Sequence, residues 1–237
     1  MKKAIIIGAT SGIGEALYKE LMKHHYRIGI TGIDRAVVDA VNKRSLKNLF
    51  AVYLDSREGH TAEVIKNMTE QLEGLDLMVF CAGIGHLNRD QGFEVQNAAN
   101  EINVMAFTEV ADISWRYFEE QGHGHFVSLS SIAGLFGYHK APAYHAAKSY
   151  QINYLESLRQ KAFHSGKPIY ITDIRPGFVQ TAMTEGKKLF WPVSASKAAQ
   201  QIYNHIEQHH DIGYVPGRWW LVAGILNLLP AWLRKRF

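Results

Sequence analysis

At 237 residues, 47% of them hydrophobic and 20% charged, the chain fits one large globular α/β domain and requires no second one. Its only cysteine, Cys81, excludes an internal disulfide and suits a reducing, cytoplasmic setting. The net charge of +4 is carried by the C-terminal end, where Arg218, Arg234, Lys235 and Arg236 follow Ile212 without an acid; the 26 Lys and Arg less these four balance the 22 acids, so no basic nucleic-acid face is expected.

In chain order, the opening Met-Lys-Lys and three Ile imitate a secretory signal, but the apolar run breaks at Gly8, too early for an h-region. Residues 2–7 therefore predict a strand. Gly8-Ala9-Thr10-Ser11-Gly12-Ile13-Gly14 follows at once, and Ile13, Ala16, Leu17 and Leu21 then recur at helical spacing. Strand, glycine-rich turn and helix are the setting in which a backbone approaches a pyrophosphate at a helix N-terminus. A second strand spans 27–32. Where an NAD-preferring site carries an acid at the strand end, this chain has Gly32. Arg35 is near enough to meet a 2′-phosphate, although a two-residue shift of the turn would make Asp34 a ribose acceptor. The reading favours NADP(H) over NAD(H).

Residues 50–54 predict the third strand, ending at Asp55-Ser56, where the acid equally suits a turn or helix cap. The fourth, 75–80, leads into Cys81-Ala82-Gly83-Ile84-Gly85. Cys81 reads as a small core residue, with no His at a telling spacing. A long helix over 93–121 carries Asn103, a poor interior helix residue because its amide competes for backbone partners. A turn with His123 and His125, both expected to face solvent, enters a strand that ends at Ser131. Pro142 then suits the first turn of a helix over 142–165 that carries Tyr144 and Lys148 on one face, at i and i+4. A neighbouring cation and the helix N-terminus would lower the phenol's pKa from its usual ~10. Residues 168–174 predict a sixth strand, followed by Pro176-Gly177-Phe178-Val179-Gln180-Thr181, a short lid, a helix over 196–209 and a last strand at 212–215. His205 and His209 have the i, i+4 spacing of metal ligands, but no third ligand stands at a telling distance, and no metal is expected.

The Ser131, Tyr144 and Lys148 constellation, with the glycine-rich turn, resembles the short-chain dehydrogenase/reductase family in its single-domain branch, over residues 3–215. The resemblance implies a doubly wound, seven-stranded parallel sheet of Rossmann type, in the order 3-2-1-4-5-6-7. It also implies NAD(P)(H)-dependent hydride transfer with a carbonyl or alcohol, and a homodimer or homotetramer. Its site would comprise Asn103, Ser131, Tyr144 and Lys148. Tyr144 would be the proton donor, Ser131 the partner of the carbonyl oxygen, and Lys148 the partner of the ribose. An Asn103-held water would reload the proton. The cofactor would lie along Gly8, Thr10, Ser11, Gly12, Ile13 and Gly14, with Asp55 and Ser56 at the adenine. Ala82 and Gly83 would line its middle, and Pro176, Gly177, Val179 and Thr181 its nicotinamide. Phe-Cys-Ala-Gly departs from the family's usual Asn-Asn-Ala-Gly, so bracing between strands must differ. A catalytically silent NADP(H) sensor and a sugar-nucleotide isomerase or dehydratase of the extended branch are the alternatives. The latter branch usually has GxxGxxG and an added domain, and this chain shows neither.

Loops 86–92, 135–140 and 183–192 would select the substrate. The tail, 216–237, is apolar on nearly every helical face, yet shorter than the ~20 residues that a membrane span needs. It would pack on the body or a partner subunit, or lie on an anionic membrane at the inner face, with an apolar or lipid-linked carbonyl as substrate.

Overall fold

Every residue of the strand Leu77–Phe80 and of the strand Gly124–Leu129 is buried, which requires cover on both faces of the sheet. In the computed structural model, which describes residues 1–85, 92–184, 186 and 188–235, helices supply that cover. The strands of the main sheet are β1 (Lys3–Ile7), β2 (Arg27–Gly32), β3 (Leu49–Tyr53), β4 (Leu77–Phe80), β5 (Gly124–Leu129), β6 (Ile169–Pro176) and β7 (Ile212–Val215), and Val179–Gln180 pairs separately with Val193–Ser194. All seven pair in parallel, in the order β3-β2-β1-β4-β5-β6-β7. This is the doubly wound, Rossmann-type sheet expected from the sequence.

Alternation along β1 divides the core. Ile6 joins Leu17, Leu21, Ile28 and Ile202 beneath α1 (Gly12–Lys23), α2 (Arg35–Lys43) and α7 (Ala195–Glu207). Ile5 joins Met68, Phe107, Phe118 and Leu155 beneath α3 (Thr61–Leu72), α5 (Phe107–Gln121) and α6 (Pro142–Ser165). Because β1 lies between β2 and β4, the chain leaves it in one direction and returns on the other side. That switch point opens a crevice at the carboxyl ends of the strands.

Three features depart from the expected elements. The helix over 93–121 is divided into α4 (Phe93–Asn100), a π-helical turn (Glu101–Ala106) and α5, and Asn103 sits in the turn. β6 runs on to Pro176, because Arg175 and Pro176 pair in register with Tyr214 and Val215 of β7. His125 does not face solvent: it is buried on β5, its Nε2 2.8 Å from the Thr172 hydroxyl, and burial pushes its pKa down to about 3.

The tail forms α8 (Trp219–Leu228) and α9 (Ala231–Arg234). Of the substrate-selecting loops, residues 86–91, 185 and 187 lie outside the described residues, as do Arg236 and Phe237 of the tail.

Candidate active site

The glycine-rich turn meets β4 at its carboxyl end. Gly8 has φ +79°, and a β-carbon there would lie 2.7 Å from the Ala82 backbone, so only glycine fits. α1 begins at Gly12 with Ser11 at its N-cap, and Ser11 makes no side-chain cap bond to the helix. The N–H groups of a first helical turn lack intrahelical partners and can meet a phosphate. Gly12 also lies against the Thr181 methyl, so the turn and the segment after β6 form one cradle. Gly8 to Gly14, Ala82, Gly83 and Thr181 are thus brought together, with Pro176, Gly177 and Val179 on the same segment as Thr181. These residues fit a dinucleotide.

At the end of β2, a β-carbon on Gly32 would lie 2.2 Å from the Thr10 side chain, so Thr10 already fills the place of a strand-end acid. Asp34 caps α2, accepting from the Ala36 N–H at 2.9 Å and the Val37 N–H at 3.2 Å. Arg35 is exposed, its guanidinium stacked 3.5 Å from the Tyr53 ring centroid. Asp55 takes the capping role left open by its sequence. It accepts from the Arg57 N–H at 3.1 Å and from the Arg57 guanidinium, which holds its carboxyl below the usual range. Ser56 opens the short turn that Asp55 caps.

The four residues expected to act come together around α6, whose Pro142 stands in its first turn. Tyr144 and Ser131 line the same cavity; Ser131, which follows β5, donates to the Pro176 carbonyl at 3.4 Å and accepts from the Ala133 N–H at 3.0 Å. Gly85 lies against the Tyr144 ring, where a β-carbon would be 2.6 Å from it. The Lys148 Nζ is 5.8 Å from that ring's centroid and donates to the Leu129 carbonyl and to Gln151 Oε1, each at 2.9 Å. The expected lowering of the phenol's pKa is not found. Burial raises it above 10.0 and outweighs the neighbouring Ser131 hydroxyl, which lowers it. Burial instead lowers the lysine, to about 8.

Asn103 donates from Nδ2 to the Ile84 carbonyl at 2.7 Å and to the Ala99 carbonyl at 2.8 Å. It thereby ties the π-helical turn to the Cys81–Gly85 loop. Its backbone carbonyl accepts from Gln151 Nε2 at 2.8 Å. The Gln151 amide therefore bridges Lys148 and the Asn103 backbone directly. Gln151 was not singled out from the sequence; its signal is a polar residue at i+3 from Lys148, on the same helix face.

Asp173 was also missed. It is fully buried in β6, pairs with Arg175 Nε at 2.7 Å and accepts from the Ser130 hydroxyl. That bond braces the turn next to Ser131. Cys81 packs at the edge of the core, and burial pushes its thiol up to about 12, which suits packing rather than nucleophilic attack. His205 and His209 turn to separate partners, His210 and Tyr170.

Ser131, Tyr144 and Lys148 open into a cavity of about 490 Å³ whose other walls include Ile13, Leu129, Phe136, Tyr138, Phe178 and Leu189. Beside it, His145 Nδ1 lies 2.7 Å from the Phe136 carbonyl and holds the 132–136 wall to α6.

The family model for short chain dehydrogenases matches residues 2–189. The chain belongs to the short-chain dehydrogenase family and is an NAD(P)-dependent oxidoreductase. An uncharacterised oxidoreductase of Staphylococcus epidermidis is 26% identical over 188 residues, covering 78% of this chain and 81% of its own. One from Mycobacterium tuberculosis is 25% identical over all of this chain and 97% of its own. Among solved structures, ElxO with NADP bound is similar at a TM-score of 0.78 and 20% identity, over 90% of this chain and 96% of that one. The 3-ketoacyl-(acyl-carrier-protein) reductase of Brucella melitensis, complexed with NADH, is similar at a TM-score of 0.77 and 18% identity, over 90% and 94%. At these identities the structures establish the fold alone.

Proposed function

We propose that the protein is an NADPH-dependent carbonyl reductase in which Tyr144 donates the proton. The observation that carries this reading is the meeting of Ser131 and Tyr144 at the wall of one cavity, with Lys148 one helical turn away. A buried phenol with a raised pKa stays protonated through the neutral range, as a general acid must. When bound, the dinucleotide supplies the hydride. Ser131 donates a hydrogen bond to the substrate's carbonyl oxygen, and Tyr144 delivers its proton to the same oxygen as negative charge develops there. Lys148 holds a positive charge near the phenolate left behind, which then regains its proton from solvent.

The preference for NADP(H) rests on the end of β2. Thr10 leaves no room for an acid on Gly32, the Asp34 carboxylate is engaged in capping, and the exposed Arg35 is free to turn from Tyr53 to a 2′-phosphate. The cavity walls favour an apolar carbonyl substrate. A panel of apolar ketones and aldehydes, followed by NADPH oxidation, tests the reading. Turnover that depends on Tyr144 supports it. Tight cofactor binding with no turnover across the panel supports the silent sensor instead.

A further inference from the structure

The lid and the tail present a surface unlike that of an ordinary globular protein. α8 buries Trp219 and Ala223 against the body, as the inner face of a helix should. Its outward face carries Trp220, Leu221, Ile225 and Leu228, which are 61%, 48%, 61% and 84% exposed. A surface helix ordinarily places polar side chains there. Phe190 and Trp191 of the lid, 58% and 45% exposed, enlarge the patch through the edge contact of Phe190 with Trp219, at 6.0 Å between ring centroids.

Lid and tail are tied together. The Arg218 guanidinium lies 5.3 Å from the Trp191 ring centroid and donates to the Trp191 and Pro192 carbonyls at 2.9 and 3.2 Å. Trp219 in turn packs on Gly177, where a β-carbon would be 2.3 Å from the indole, and on Phe178, a wall of the cavity. The exposed patch therefore borders the cavity.

We propose that the lid and α8 form a docking surface for an anionic lipid bilayer, with the active-site cavity beside the point of contact. Charge decides between this partner and a second copy of the chain. Arg218, Arg234, Lys235 and Arg236 are the only charged residues from Ile212 onward, and an isologous contact would pair this segment with itself and offer its cations no acid. Anionic headgroups neutralise them, while Trp and Leu side chains enter the headgroup–acyl boundary. No helix among the described residues is long and apolar enough to cross a membrane, so the contact is interfacial.

The test is sedimentation of the full chain with vesicles of phosphatidylglycerol and phosphatidylcholine, and with phosphatidylcholine alone. The expected result is binding to the anionic vesicles that weakens as salt is raised. Ile225→Glu and Leu228→Glu should each reduce it by about tenfold or more, since each places a charge of the wrong sign on the apolar face. Both positions are exposed, and retained NADPH binding shows that the variants are folded. The proposal is overturned if the intact chain stays in the supernatant with anionic vesicles at low salt. It is equally overturned if either variant binds as the unmutated chain does. Loss of self-association in Ile225→Glu, with no vesicle binding by the unmutated chain, would make the patch an interface between copies.

Discussion

At the scale of residues, the active site depends on how a fully buried lysine is held. Lys148 has two acceptors, the Leu129 carbonyl and Gln151, and burial lowers its pKa to about 8. Its charge is present below that pH and is lost as pH rises through it. Reduction should therefore be steady on the acid side and fall above about pH 8. Gln151→Leu removes an acceptor from the ammonium, so the fall should move to lower pH. The lost buried hydrogen bond should cost ~1–3 kcal/mol of stability. Gln151→Glu places a negative charge at the same distance and should move the fall to higher pH. Rate–pH profiles of both variants check the sign, which loss of packing alone would not reverse. Tyr144 and Lys148 were legible because their chemistry is fixed by spacing on one helix. Gln151 was not, because a glutamine on a helix gives no sign of its burial. The direction of the Tyr144 shift was also illegible, since burial, the dominant cause, is a tertiary property.

At the scale of elements, the strand–turn–helix at the N-terminus and the bounds of α6 were readable from glycine and proline placement and hydrophobic period. The π-helical turn was signalled only by Asn103, a helix-averse residue inside a long helical pattern. Asn103→Ala should remove both donor bonds to Ile84 and Ala99, loosen the Cys81–Gly85 loop and lower stability by ~1–3 kcal/mol per lost bond. Weaker NADPH binding together with a lower Tm checks it. Steric contact at the end of β2, invisible in the sequence, makes a second expectation. Gly32→Asp should fail to convert the enzyme to NADH, because its side chain meets Thr10. Gly32→Asp with Thr10→Gly has room for the acid and should raise NADH affinity. Titration of both reduced cofactors by fluorescence separates the two cases.

At the scale of the whole molecule, the alternation of strands and helices made a parallel sheet with both faces covered readable, while its order and switch point were legible only through the family resemblance. The tail was not, because a segment apolar all round gives no sign of which face meets the body. In the fold, packing on Gly177 selects Trp219 for burial and leaves Trp220 outside. The α4–α6 side exposes Phe93, Met105 and Phe163, and pairing of two copies there is expected from the family resemblance. Phe163→Glu should shift size-exclusion elution toward the monomer, whereas Ile225→Glu should not.

The role of Tyr144 as proton donor meets its most direct test in the comparison of Tyr144→Phe with the unmutated chain for both NADPH binding and single-turnover reduction of an accepted carbonyl substrate. The ring remains to pack against Gly85 while the proton donor goes. Cofactor affinity should stay within a few-fold, and the reduction rate should fall by ~10²-fold or more, the scale of a lost general acid. Reduction by Tyr144→Phe at the unmutated rate would contradict the assignment.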